Sequence, residues 1–170
     1  MSSLIFCWLT LEVRAEVRFD AALRDAVTNL RPLINEAPTN ASLAEKIVVV
    51  TFFASWCPPC LAEFKHLNTL VERYPDAIEV VAINVYEDDW DGAAPDSMTK
   101  FLRHTQPRFW VVKGNEAIRD RFGGIDRIPN VFVFTPTGES VMHFIHHQGA
   151  KKTHAALDEL EAAVRRAGVE

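Results

Sequence analysis

Ile47-Val48-Val49-Val50-Thr51-Phe52-Phe53, followed by Ala54-Ser55-Trp56 and then Cys57-Pro58-Pro59-Cys60, is the stretch on which the fold turns. The first seven residues are apolar or β-branched without interruption. The run is too short for a typical helix and fits a strand buried on both faces. After the cysteine pair, Leu61, Phe64, Leu67, Leu70, Val71 and Tyr74 recur at helical steps until Pro75-Asp76 ends the pattern.

Ile78–Val85 reads as a second strand. The acidic, turn-rich Glu87–Pro95 reads as a solvated loop. A helix is expected over Asp96–His104, a short strand over Arg108–Val112, and a short helix over Asn115–Phe122 that Gly123-Gly124 ends. Asn130–Thr135 and Ser140–His146 read as strands around a hairpin turn at Pro136-Thr137-Gly138-Glu139. Lys151–Ala167 reads as a terminal helix. Towards the N-terminus, Phe19, Leu23, Ala26, Val27, Leu30, Leu33 and Ile34 predict one amphipathic helix over Glu16–Ile34. Pro38-Thr39-Asn40 breaks it, and Ser42 is the candidate cap of a short turn.

A βαβ unit followed by a ββα unit, with a right-handed crossover in the first, implies an α/β fold. Its mixed central sheet is covered by helices on both faces in an α/β/α sandwich, with an extra N-terminal helix. The expected division is residues 1–46, an apolar segment plus an amphipathic helix packed on the rest, and residues 47–170, the main domain.

The 170 residues carry 48 % hydrophobic and 24 % charged side chains, an ordinary globular balance. A net charge of −5 with no basic patch argues against nucleic-acid binding. No apolar run approaches a membrane span, so membrane anchoring is not supported. Leu4–Leu11 is apolar and Val13-Arg14-Ala15 offers small residues, but Met1-Ser2-Ser3 lacks the positive charge of a secretory signal. Two readings therefore stay open, a secretory signal and a strand. Three cysteines do not make a disulfide scaffold. Cys7, remote from the other two, is expected to be a small buried hydrophobe.

Cys57 and Cys60 have the spacing of half a zinc site or of a redox couple. Structural zinc needs four ligands, and there is no second cysteine pair. His146-His147 are adjacent, and adjacent residues on a strand point to opposite faces. His66, His104, His143 and His154 show no metal-ligand spacing either, so neither a metal nor any other cofactor is expected. The redox reading draws on context. A thiol at a helix N-terminus faces backbone N–H groups and the positive end of the macrodipole, which favours its thiolate. Pro59 suits the helix start, where a missing N–H costs little. Cys57 is thus the candidate nucleophile and Cys60, one turn in, the candidate resolving thiol.

Ala54-Ser55-Trp56-Cys57-Pro58-Pro59-Cys60 after a buried strand resembles the thioredoxin-like fold, and within it the TlpA/ResA-type thiol–disulfide oxidoreductases. Glu63, Ile128-Pro129 and Thr135-Pro136-Thr137-Gly138-Glu139 carry the resemblance further, over about Ile47–Arg166. It implies a cis-Pro129 facing the redox pair, with the Ile128 backbone beside Cys57 where an extended substrate can pair. Trp56, Pro58, Ile128 and Pro129 would then bind substrate.

The resemblance also implies that Glu63 is a partly buried carboxylate relaying protons to Cys60. Thr51 stands where thioredoxin has an aspartate for that task. Lys65 replaces a helix-kinking proline of the family, so a straighter helix is expected. Residues 1–46 lack the family's strand-hairpin lead-in. Partners would be protein thiols or disulfides and a redox partner protein. Among relatives, such substrates are apocytochrome thiols or a copper-site assembly protein, with a periplasmic or secreted location; without a signal the location would be cytoplasmic. The Pro-Pro dipeptide lacks a polar group favouring a strong oxidant, so reduction is the expected direction. Cu(I) handling by the two thiolates and a non-catalytic peptide-binding module are the alternatives. C-x-x-x-C copper carriers and T-x-x-C peroxiredoxins do not match, since Ala54 stands three residues before Cys57.

Overall fold

A computed structural model describes residues 16–34, 36–89 and 94–169. Twelve elements follow in order: α1 (Ala21–Thr28), β1 (Arg31–Ile34), α2 (Asn40–Leu43), β2 (Ile47–Phe53), α3 (Pro58–Arg73), β3 (Ile78–Asn84), α4 (Ser97–Thr105), β4 (Trp110–Lys113), α5 (Glu116–Arg121), β5 (Asn130–Phe134), β6 (Ser140–Ile145) and α6 (Leu157–Arg166). One six-stranded sheet has the order β1-β4-β3-β2-β5-β6. β2, β3 and β4 run parallel, while β1, β5 and β6 each pair antiparallel with a neighbour. This is the expected mixed-sheet α/β/α sandwich of thioredoxin-like type.

Every residue of β2 is buried. Its side chains alternate as a strand must. Ile47, Val49 and Phe53 face a core shared with α3, α4 and α6, and Val48, Val50 and Phe52 face the core under α1, α2 and α5. Beneath α3, Phe64 touches Phe53, Phe101 and Phe109 at ring-centroid distances of 4.7, 4.8 and 5.2 Å. α3 runs unbroken from Pro58 to Arg73, as Lys65 in place of a proline predicts.

Three expectations fail. The N-terminal helix does not span Glu16–Ile34. Asp20 caps α1 by accepting from the Leu23 N–H at 2.8 Å, the helix ends at Thr28, and Arg31–Ile34 forms an edge strand on β4. Pro32 is the cause: inside a helix it would lose an N–H and clash with the preceding turn, whereas an edge strand tolerates it. The sheet therefore has an edge strand ahead of residue 47, within the span expected to be helix. The terminal helix begins at Leu157, not Lys151, because the Glu159 carboxylate accepts from the Ala156 N–H at 2.9 Å and sets the start there. The short helix near Ser42 is capped by Thr39, with Ser42 bonding back as the other half of a capping box. The expectations for Leu4–Leu11 and Cys7 lie outside the described residues. No helix among the described residues is long and apolar enough to cross a membrane.

Gly138 shows how tightly the hairpin turn meets the N-terminal segment. Its φ is +85°, and an added Cβ would lie 2.5 Å from the Phe19 carbonyl oxygen. The Phe19 N–H donates to the Gly138 carbonyl at 2.8 Å.

Phe64→Ala empties the centre of the aromatic cluster under the cysteine-bearing helix. It is expected to cost about 3–5 kcal/mol, read from the denaturant midpoint of the oxidised protein at constant m-value.

Candidate active site

The antiparallel pairing of β2 with β5 sets Phe52 opposite Asn130. The chain leaving β2 therefore passes the chain entering β5, and Trp56 comes to share a groove with Ile128. The Ile128–Pro129 peptide bond is cis. Cys57 is the N-cap of α3, with Pro58 and Pro59 in the first turn. It is joined to Cys60 in a disulfide with Cα atoms 5.3 Å apart. Cys57 is 4 % exposed and Cys60 fully buried, so of the two sulfurs' residues only the first reaches the surface. Pro58 is exposed.

Glu63 lies one turn beyond Cys60 on the same helical face and is completely buried. It meets Thr51, which alternation puts on the α3 side of β2. The Thr51 hydroxyl donates to Glu63 Oε1 at 2.5 Å, while Oε2 is buried without a hydrogen-bond partner. Burial pushes the Glu63 carboxyl up from 4.5 to about 8, and the Thr51 hydroxyl and Ala155 backbone pull it only partly back. Ala155, fully buried, belongs to the irregular segment ahead of α6. His66 Nδ1 donates to its carbonyl at 3.1 Å and ties that segment to α3.

The acidic run after β3 is not wholly a solvated loop. The Glu87 carboxylate accepts from the Ser55 N–H at 3.0 Å, from the Ser55 hydroxyl and from Asn84 Nδ2 at 2.8 Å. It braces the segment just before Trp56. Asp88 and Asp89 do fit the solvated reading, and Asp91 lies outside the described residues. Trp56 Nε1 donates to the Tyr86 carbonyl at 2.8 Å.

A groove of about 490 Å³ runs between these parts, lined by Trp56, Tyr86, Ile128, His146 and Gln148, with Asp89, Asp126 and Arg127 adding charge. His146 Nδ1 donates to the Ile128 carbonyl at 3.1 Å, and its backbone N–H to the Pro129 carbonyl at 3.1 Å. Of the residues singled out in the sequence, Trp56 and Ile128 thus share the groove, Cys57 and Cys60 share the disulfide, and Glu63 lies in the interior with Thr51. Tyr86, Glu87 and His146 were not singled out as site residues. Their recruitment depends on strand register, which no local motif records. Among the described residues no three His, Cys, Asp or Glu side chains converge as a metal site would require.

Residues 23–164 match the family model described as Redoxin. The thiol:disulfide interchange protein HelX of Rhodobacter capsulatus is 35 % identical over 114 residues, which are 64 % of this chain and 58 % of that protein. The thiol-disulfide oxidoreductase ResA of Bacillus thuringiensis subsp. konkukian is 24 % identical over 118 residues, 68 % of this chain and 64 % of its own. The match thus spans about three-fifths of the length of each of these relatives. A secreted disulfide oxidoreductase of Mycobacterium tuberculosis, homologous to E. coli DsbE, superposes with a TM-score of 0.63 at 22 % identity over 81 % of this chain and 93 % of that one. The last of these bears on the fold alone.

Because the folded state holds a proton on Glu63 more tightly than the unfolded chain does, this group's contribution is undiminished below pH 4.5. It is lost as pH rises through about 8. Glu63→Gln removes that penalty. Its stability relative to the parent protein should climb between pH 4.5 and about 8 and then level off, by on the order of 5 kcal/mol. Urea midpoints across that range measure the difference, and a flat difference would contradict the buried-carboxyl assignment.

Proposed function

The chain belongs to the redoxin family and is of the thioredoxin-like, TlpA/ResA type, and from that premise we propose that it reduces protein disulfides, with Cys57 as nucleophile and Cys60 as resolving thiol. The observation that carries this reading is the cysteine pair at the N-terminus of α3, beside a groove that contains Trp56 and Ile128. In the reduced protein, the N–H groups and macrodipole of a 16-residue helix favour the Cys57 thiolate. That thiolate attacks one sulfur of a substrate disulfide. The substrate S–S bond breaks, a mixed disulfide forms on Cys57, and the other substrate sulfur leaves as a thiolate that takes a proton. Cys60 then attacks Cys57 Sγ, and the second substrate sulfur leaves with the electron pair of the mixed disulfide. Two electrons have passed from the dithiol to the substrate, and the Cys57–Cys60 disulfide remains.

Cys60 must lose its proton in a place water does not reach. Glu63, buried one turn away and with its carboxyl raised to about 8, is matched to accept a thiol proton near neutral pH. A surface carboxylate would be far too weak a base. Trp56, Pro58, Ile128 and cis-Pro129 take the substrate segment. The Ile128 backbone would pair with it and the Trp56 ring would give it an apolar contact. The partners are protein disulfides and a second redox protein that returns electrons to the pair.

Cys60→Ala should accumulate a mixed disulfide with a protein substrate such as insulin, seen as a reducible mass adduct. Cys57→Ala should form none. If the Cys60→Ala protein traps nothing and the parent protein fails to reduce insulin, the proposal falls. Glu63→Gln should leave adduct formation intact while slowing release, by up to about 100-fold, the lower end of what a positioned proton-transfer group contributes.

A further inference from the structure

Tyr86 lies two residues past the end of β3 and has a φ of +58°. A bulky side chain in the left-handed region is strained and persists only where the surroundings over-determine it. Here three attachments do so. The Tyr86 carbonyl accepts from Trp56 Nε1 at 2.8 Å. Its hydroxyl donates to the Ile125 carbonyl at 2.5 Å and accepts from Arg119 Nη1 at 2.6 Å. The Arg119 guanidinium also lies 4.6 Å from the Tyr86 ring centroid. The next residue, Glu87, grips Ser55 and Asn84.

One residue therefore holds two segments that are remote in sequence. Its main chain is bonded to the tryptophan beside Cys57, and its side chain to the segment that runs into Ile128 and cis-Pro129. Those two segments are the walls of the groove that Tyr86 itself lines.

We infer that Tyr86 is a positioning residue that holds the Trp56 wall and the Ile128 wall at the separation an extended polypeptide disulfide needs. The inference rests on the proposed reduction of protein disulfides and adds the residue that tunes the site to an extended polypeptide. A small disulfide needs only to reach Cys57. A polypeptide must also lie between Trp56 and Ile128, so it alone is sensitive to their spacing. The conformational cost of Tyr86 is thus offset by a groove formed before substrate arrives, which spares the substrate the work of ordering it.

The test compares a protein disulfide, insulin, with a small one, hydroxyethyl disulfide, using the full chain in its reduced form. Tyr86→Phe keeps the ring and the carbonyl bonded to Trp56 but deletes the hydroxyl that holds Ile125. The ratio of kcat/KM for insulin to that for the small disulfide should fall about two- to tenfold, as loss of one part-buried hydrogen bond predicts, mostly through KM. Arg119→Met removes one of the two bonds at the hydroxyl and should shift the ratio the same way by less. It also provides the measurement should Tyr86→Phe not fold. A ratio unchanged within experimental error in a folded variant overturns the inference, as does an equal loss on both substrates. Failure of the parent protein on both disulfides would instead overturn the disulfide-reductase reading.

Discussion

β2 has a hydrogen-bonded neighbour along each edge, β3 parallel and β5 antiparallel, and a helical layer against each face. With all four sides occupied, its only freedom is where the chain emerges. It emerges at the end where β5 begins, and α3 starts six residues after Phe52, the last residue paired on both sides. The meeting of the segment before Cys57 with Ile128, seen in the groove shared by Trp56 and Ile128, follows from that register. A slip of one residue would turn Thr51 away from α3 and put Val50 or Phe52 against Glu63, depriving the buried carboxyl of the Thr51 hydroxyl.

The two ends of the first α3 turns live in different media. Cys57 is at the helix N-terminus and reaches the surface, while Glu63 is enclosed by Thr51, Ala155 and the aromatic layer that Phe64 enters. The helix supplies stabilisation for negative charge at the first position, and the interior withdraws it at the second. One short stretch of helix thereby holds a group biased towards its anion and a group biased towards its acid. The proposed reduction would use the first group as nucleophile and the ionised fraction of the second to take the Cys60 proton. The segment Ala155 belongs to contributes by remaining irregular. A helix begun at Lys151 would have bonded its amides within itself, and α6 instead starts where Glu159 caps Ala156.

Polar groups that look like surface features in isolation are drawn into the scaffold around the groove. Glu87 stands in an acidic run, yet it accepts three hydrogen bonds from donors on β3 and on the redox loop. His146 follows the last strand and fastens the Ile128 carbonyl. Tyr86 accepts a strained backbone to bond in two directions. These contacts make the groove a product of three loops braced against one another, not a depression left by the packing of helices.

Local pattern was enough to find β2, the cysteine motif and the helix after it, because seven consecutive buried residues and a 3.6-residue period are written in the chain itself. It also marked Glu63, Ile128 and Pro129, through a resemblance resting on short strings. Local pattern misled where an apolar period ran through Pro32 and where the C-terminal helix was extended back to Lys151. In both places a single residue, the proline or the capping glutamate, outweighs the periodicity. What only the tertiary structure decided is which side chains meet. Thr51 with Glu63, Trp56 with Tyr86, Tyr86 with Ile125, and His146 with Ile128 are pairs separated by 12 to 39 residues. Their encounter is set by strand order and register, which arise from burying both faces of one sheet at once. Residue types and spacings determine the chemistry available at Cys57 and Cys60; the pairing of β2 with β5 determines what that chemistry can touch.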